Sequence, residues 1–167
     1  MNGRLEQAGA HWRLRFVRRL AHPPEKVWAA ITEPGQRTAW FPDTATGDFT
    51  KVGAQLTFVH PGGEFDGEVL ACSPPALLEI RWGTDILRFE IVPDADGCTL
   101  TLTDTFDEVG KAARDAAGWH ECLDNLGHHL DGTPRLAAGE RWRQVHAAYV
   151  EALGPEASTI GPPAQSG

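Results

Sequence analysis

Residues 110–130, GKAARDAAGWHECLDNLGHHL, decide the fold. Ala112, Ala116, Trp119, Leu123, Leu126 and Leu130 recur at i, i+4, i+7, i+11, i+14 and i+18, which is one stripe at the helical period. Asp115, Glu121, Asn125 and His129 fall largely outside it. The segment therefore reads as a long amphipathic helix, ended by Gly132 and Pro134. Gly118 and Gly127 each weaken it by about 1 kcal/mol relative to alanine, so packing of the stripe must hold it.

Upstream of the helix the period changes to two. In 98–106, Cys98, Leu100, Leu102, Asp104 and Phe106 share one side of a strand, and Thr99, Thr101, Thr103 and Thr105 share the other. Strands at 77–82 and 86–93 place Leu78, Ile80 and Trp82, then Leu87, Phe89 and Ile91, on single faces. Gly83-Thr84-Asp85 and Asp94-Ala95-Asp96-Gly97 are hairpin turns between them, so these strands form an antiparallel meander. Earlier strands fall at 54–60 and 64–73, with Leu56, Phe58, Phe65 and Val69 inward, and a weaker one at 45–51.

At the start, 11–21 alternates Trp12, Leu14 and Phe16 with Arg13 and Arg15 and stops at His22-Pro23-Pro24. Pro24 and Glu25 suit the first turn of a short helix at 24–32, which carries Val27, Ala30 and Ile31 on one face. A second short helix is expected at 36–41, ending in Trp40 and Phe41. A last helix at 140–153 aligns Trp142, Val145, Tyr149 and Leu153. This order predicts an α+β fold in which a curved antiparallel sheet of about seven strands wraps a long C-terminal helix. A curved sheet cannot touch a straight helix along its whole length, so a pocket is expected between them. Residues 11–153 read as one domain, 1–10 as a flexible N-terminus, and 154–167, rich in Pro, Gly and Ser, as a disordered tail.

Composition narrows the function. Hydrophobic residues make up 41% of the 167, enough for a core, and the formal charge of −8 disfavours nucleic acid. Arg13, Arg15, Arg18 and Arg19 interleave with apolar residues on a strand and suit a solvated sheet face. No apolar run reaches the roughly 20 residues of a membrane helix, and the first residues lack the apolar centre of a signal peptide. Cys72, Cys98 and Cys122 show neither a disulfide framework nor zinc spacing, which fits reduced core thiols and a cytoplasmic location.

Three stretches carry a family resemblance: HPPEKVWAAITEP at 22–34 with Trp40-Phe41, TLTLTDTFDE at 99–108, and AAGWHECLDNLGHHLDG at 116–132. Over 12–153 the chain resembles the SRPBCC, or START-like, helix-grip superfamily, and within it the activator-of-Hsp90-ATPase homologue branch of bacterial proteins. The resemblance implies an internal hydrophobic ligand cavity. The superfamily includes lipid and polyketide binders, some cyclases and hydratases, and a eukaryotic co-chaperone; a shared fold alone does not choose among them.

Six tryptophans and seven phenylalanines against one tyrosine suit a bulky apolar lining. The candidate lining is Trp40, Phe41, Phe58, Phe65, Trp82, Phe89, Leu102, Trp119, His120 and Leu123. Two polar groups stand out. Asp104 interrupts an inward face, where it either anchors or deprotonates a ligand or lies near the strand end within reach of solvent. His120 borders the helical stripe and could move protons near neutral pH. His120 and His128, eight residues apart, stand about 12 Å apart along a helix and cannot share one ion, so no metal or cofactor is expected. The leading expectation is a small-molecule binding protein with a hydrophobic cavity for a lipid-, polyketide- or aromatic-like ligand. The alternatives are a cyclase or hydratase using Asp104 and His120, and a chaperone-interacting module. Trp142 and Tyr149 on the last helix leave a homodimer open.

Overall fold

The computed structural model describes residues 3–161. Strands β1 (Arg4–Ala8), β2 (His11–Leu20), β3 (Thr44–Thr46), β4 (Gln55–His60), β5 (Gly63–Ser73), β6 (Leu77–Trp82), β7 (Asp85–Asp94) and β8 (Gly97–Phe106) form one antiparallel sheet. Their order is β1-β2-β8-β7-β6-β5-β4-β3. The helices are α1 (Pro24–Thr32), α2 (Pro34–Arg37), α3 (Ala112–Asp131) and α4 (Glu140–Leu153). The fold is the expected α+β helix grip, with eight strands rather than seven.

Alternation in β8 sets the inner face. Cys98, Leu100, Leu102, Asp104 and Phe106 are each at most 2% exposed, while the intervening threonines are half-buried. Leu102 lies in register between Phe16 of β2 and Phe89 of β7. Leu56, Phe58, Val69, Leu78, Ile80, Leu87 and Ile91 continue the same buried face. A bulge between Val69 and Ala71 bends β5.

The extra strand is β1. Residues 1–10 read as flexible, yet Arg4–Ala8 pairs with β2 from Arg4 opposite Arg15 to Ala8 opposite His11. Gly9, at φ +63°, makes the tight turn, and the buried Gly3 N–H donates to Tyr149 Oη at 2.8 Å. Only Leu5 and Ala8 are drawn even partly inward, too faint an alternation to read. In the expected tail, Pro155–Ser158 forms a 3₁₀ turn, Ala157 is buried, and Ile160 N–H donates to Gly110 O at 3.0 Å. Residues 162–167 lie outside the described residues.

Two other elements differ in extent. The expected strand at 45–51 shrinks to Thr44–Thr46. Asp48 Oδ1 accepts both Thr50 N–H, at 2.9 Å, and the Thr50 hydroxyl, at 2.6 Å, a local turn that competes with the ladder. Helix α2 starts earlier than expected, at Pro34, and ends at Arg37. Single turns carry the chain on to Phe41, whose N–H donates to Arg37 O at 2.8 Å.

Helix α3 is buried on opposite sides. Its stripe from Ala112 to Leu130 is at most 3% exposed and covers the sheet. Across it lies α4, capped by α3's own polar residues. Glu121 accepts N–H bonds from Arg141 at 3.0 Å and Gly139 at 3.3 Å, and Asn125 Oδ1 accepts Leu136 N–H at 3.0 Å. Trp142 Nε1 donates to Arg114 O at 3.1 Å and Tyr149 is 2% exposed, so the stripe considered for self-association is spent on packing within the chain.

Gly127 sits inside α3 with open space where a Cβ would stand. Gly127→Ala is expected to raise stability by about 1 kcal/mol, or about 2–4 °C in Tm, read by thermal unfolding. An unchanged or lower Tm would show that this position is held by something other than helix propensity.

Candidate functional site

A cleft of about 1180 Å³ opens at one end of the sheet. The β4–β5 turn supplies His60, Pro61 and Gly62, and β5 supplies Phe65. Trp82 to Asp85, around the β6–β7 turn, form another wall. Lys111 immediately precedes α3, Arg114 and Asp115 lie in its first turn, Asp43 comes from the segment before β3, and Ala138 and Gly139 from the approach to α4.

Behind this cleft the aromatic residues form a closed circuit. Ring centroids are 6.0 Å apart for Phe41–Trp119, 5.2 Å for Trp119–Trp82, 5.6 Å for Trp82–Phe65, 5.3 Å for Phe65–Phe58 and 6.0 Å for Phe58–Phe41. Trp40 joins it through Phe41 at 5.5 Å and extends to Phe89 at 6.1 Å. Of the side chains expected to line a pocket, Phe65 and Trp82 do so. Trp40, Phe41, Phe58, Phe89, Leu102, Trp119 and Leu123 are at most 5% exposed and pack the core. The cleft that Phe65 and Trp82 border has an aromatic wall and a polar floor.

Residues not anticipated build that floor. Lys111 Nζ donates to Asp85 Oδ1 and Oδ2 at 2.7 and 2.8 Å, and lies 3.5 Å from Asp115 Oδ2. Arg114 Nε donates to Asp115 Oδ1 at 3.0 Å. Asp104 lies beneath, fully buried, with Trp119 Nε1 donating to its Oδ2 at 3.1 Å and Oδ1 lacking a hydrogen bond. Solvent therefore does not reach Asp104, contrary to the strand-end reading. Burial, and next the charge of Asp85, hold its carboxyl well above the ordinary carboxylate range. Burial likewise raises Asp115. Burial opposes the Lys111 ammonium, but the hydrogen bond to Asp85 and the surrounding carboxylates outweigh it and its pKa rises.

Oxygens of Asp85, Asp104 and Asp115 come within 4.8 Å of one another, close enough to share a cation. The Lys111 ammonium supplies positive charge there from within the chain. The signal was present in sequence as an i,i+4 pair, Lys111 and Asp115, opposite the Gly83-Thr84-Asp85 turn; nothing in the spacing brought Asp85 to the helix.

His120 is elsewhere. Tyr149 Oη stands 2.8 Å from its Nδ1, and Asp124 Oδ2 lies 3.6 Å from its Nε2. Tyr149 Oη already accepts Gly3 N–H, so its proton is free to go to a neutral imidazole. Burial depresses the His120 pKa, consistent with the neutral form. Asp124 also holds Arg18 at 2.6 Å and Arg141 at 2.9 Å. Neither His120 nor Asp104 lines the cleft. The reason is angular: five residues along a helix turn Asp115 and His120 about 140° apart, so the cleft and the imidazole occupy different flanks of α3. The proton-transfer pair considered for a cyclase or hydratase is not assembled.

Two outcomes follow. A raised carboxyl pKa contributes stability at low pH that is lost as pH rises through the folded-state value. The stability of wild type relative to Asp104→Asn should fall with rising pH above the unfolded carboxylate value of about 3.9, read by urea unfolding across a pH series. Parallel curves would mean that Asp104 is not protonated. Lys111→Met should cost about 3 kcal/mol, because it strands the buried Asp85 carboxylate, and adding Asp85→Asn should restore much of the loss.

The chain matches the family described as activator of Hsp90 ATPase homolog 1-like protein over residues 21–131. No curated protein matches it. Among solved structures, EF2215 from Enterococcus faecalis, a conserved protein of unknown function, is 21% identical with a TM-score of 0.75, over 90% of each chain. CalU16 from Micromonospora echinospora is 24% identical with a TM-score of 0.70, over 91% of this chain and 94% of its own. DynU16, a protein of the dynemicin biosynthetic locus, is 25% identical with a TM-score of 0.66, over 75% of this chain and 49% of its own. These likenesses carry the helix-grip architecture, and with the match over 21–131 the chain belongs to the activator of Hsp90 ATPase homolog 1-like family.

Proposed function

We propose that the chain is a cytoplasmic binding protein for a small apolar or aromatic molecule, lipid-, polyketide- or aromatic-like, held in the cleft at the end of the sheet. One observation carries this reading. Phe65 and Trp82, members of the core aromatic circuit, surface together in a concavity of about 1180 Å³. Ligand sites are commonly concave, largely apolar and fixed by a few convergent polar groups. Here Lys111, Asp85 and Asp115 converge at the floor. The likeness to DynU16, whose locus is biosynthetic, fits a partner that is a product or intermediate of such a route.

Native mass spectrometry of freshly purified protein tests for a co-purified molecule. Thermal unfolding against fatty acids, polyketides and aromatic compounds tests the class. A ligand at 100 times its Kd should add about 2.7 kcal/mol, or about 5–10 °C in Tm. Trp82→Leu should reduce that shift by removing part of the aromatic wall. No bound mass, together with no stabilisation by any of these compounds, would overturn the reading.

A further inference from the structure

The charges around the cleft do not balance. Lys111 is bound through both oxygens of Asp85, and Arg114 is bound to Asp115. Those pairs neutralise each other and leave Asp43. Its Oδ2 accepts Trp82 Nε1 at 2.8 Å, and no cationic side chain pairs with it among the described residues. The hydrogen bond fixes the carboxylate beside the indole. Phe65 stands at 74° to that indole, with centroids 5.6 Å apart, and His60 tilts against Phe65 at 5.5 Å. His60 Nδ1 accepts Gly62 N–H at 3.1 Å, which ties one imidazole nitrogen to its own turn. A lone carboxylate against aromatic walls is the combination that attracts a cationic nitrogen, through charge on one side and ring faces on the other.

Resting on the ligand-binding reading above, we infer that the cleft selects molecules in which a positively charged nitrogen is attached to an aromatic or apolar body, with Asp43 as the counter-ion. The apolar body lies along Phe65 and Trp82. The ammonium lies at the Asp43 carboxylate, while the Lys111 and Arg114 charges remain bound to Asp85 and Asp115. The charge of −8 over the whole chain draws such molecules in and disfavours anions. Burial raises the Asp43 pKa against the opposing hydrogen bond from Trp82 and the charge His60 would carry if protonated, and an arriving cation relieves that penalty by favouring the ionised form.

Three fluorescent probes separate the possibilities: cationic thioflavin T, neutral N-phenylnaphthylamine and anionic anilinonaphthalene sulfonate, each titrated into the full chain at about pH 8, where an ordinary imidazole is neutral. Thioflavin T should bind about tenfold more tightly than the sulfonate. Asp43→Asn should weaken thioflavin T by about tenfold and leave N-phenylnaphthylamine within about twofold. Raising salt from about 50 to 500 mM should weaken only the cationic probe's binding. The amide of Asp43→Asn still offers Trp82 an acceptor; if that variant does not fold, probe ranking and salt dependence in wild type still decide. Equal or tighter binding of the sulfonate, or thioflavin T binding indifferent to salt or to Asp43→Asn, would overturn the inference. Retained N-phenylnaphthylamine binding would then leave the ligand-binding reading standing, and failure of all three probes would remove both.

Discussion

Along α3, the stripe from Ala112 to Leu130 presses on the inner face of the sheet while Glu121 and Asn125, on the opposite side, receive backbone N–H groups from the chain entering α4. Each element here depends on the other. The helix contains two glycines and would be marginal alone, and among the described residues the sheet's apolar face has no other covering helix as long. Burial of that stripe is therefore the constraint from which the rest follows. It fixes Trp119 over Asp104, carries Lys111 to Asp85 at one flank, and turns His120 toward Tyr149 at another.

The polar floor of the cleft is hard to explain as a device for stability. Taking two charges out of water costs several kcal/mol per ion, and a buried ion pair gains roughly what an apolar pair of the same shape would gain. Asp85 is 2% exposed and Asp104 is fully buried, so the chain carries this cost at two adjacent carboxyl groups. Burial raises the Asp104 carboxyl well above the ordinary range, which favours its neutral form, and Asp85 is paired with Lys111. The cost falls where Phe65 and Trp82, members of the aromatic circuit, border the cleft. Polar groups in such a position orient a ligand and reject its near relatives, which an apolar floor cannot do.

Much of this was legible in sequence because periodicity reports burial directly. The threonine-alternating strand at 97–106 and the stripe in α3 each bury one face against one partner, and both were readable. Legibility failed where a residue's role depends on a partner far along the chain. β1 is drawn into the sheet by the edge of β2 and by a bond from Gly3 to Tyr149, with little apolar pattern of its own. Asp85 looked like a turn residue until the start of α3 met it. Inward-facing aromatics were identified correctly as buried, but alternation cannot tell a ring that lines a cavity from one that packs against another ring. Exposure makes that distinction: Phe65 and Trp82 border the cleft, while Phe41, Phe58 and Trp119 of the same ring-to-ring circuit are at most 5% exposed.

His120 shows why position beside a stripe is weak grounds for a catalytic role. Each residue advances a helix by about 100°, so the neighbour of an inward Trp119 is already turned well toward the flank. There it meets Tyr149, Asp124 and, through Asp124, Arg18 and Arg141, a network that ties β2, α3 and α4 together. α3 thus carries two polar clusters that differ in kind. The one around His120 is enclosed by other elements and links them. The one around Lys111 borders a cleft whose other walls include two short turns, at His60 to Gly62 and at Gly83 to Asp85. Turns on a rigid sheet can change side chains without disturbing the core that supports them. On the ligand-binding proposal, ligand choice belongs to those turns and to Asp43, while the start of α3 contributes to the polar floor.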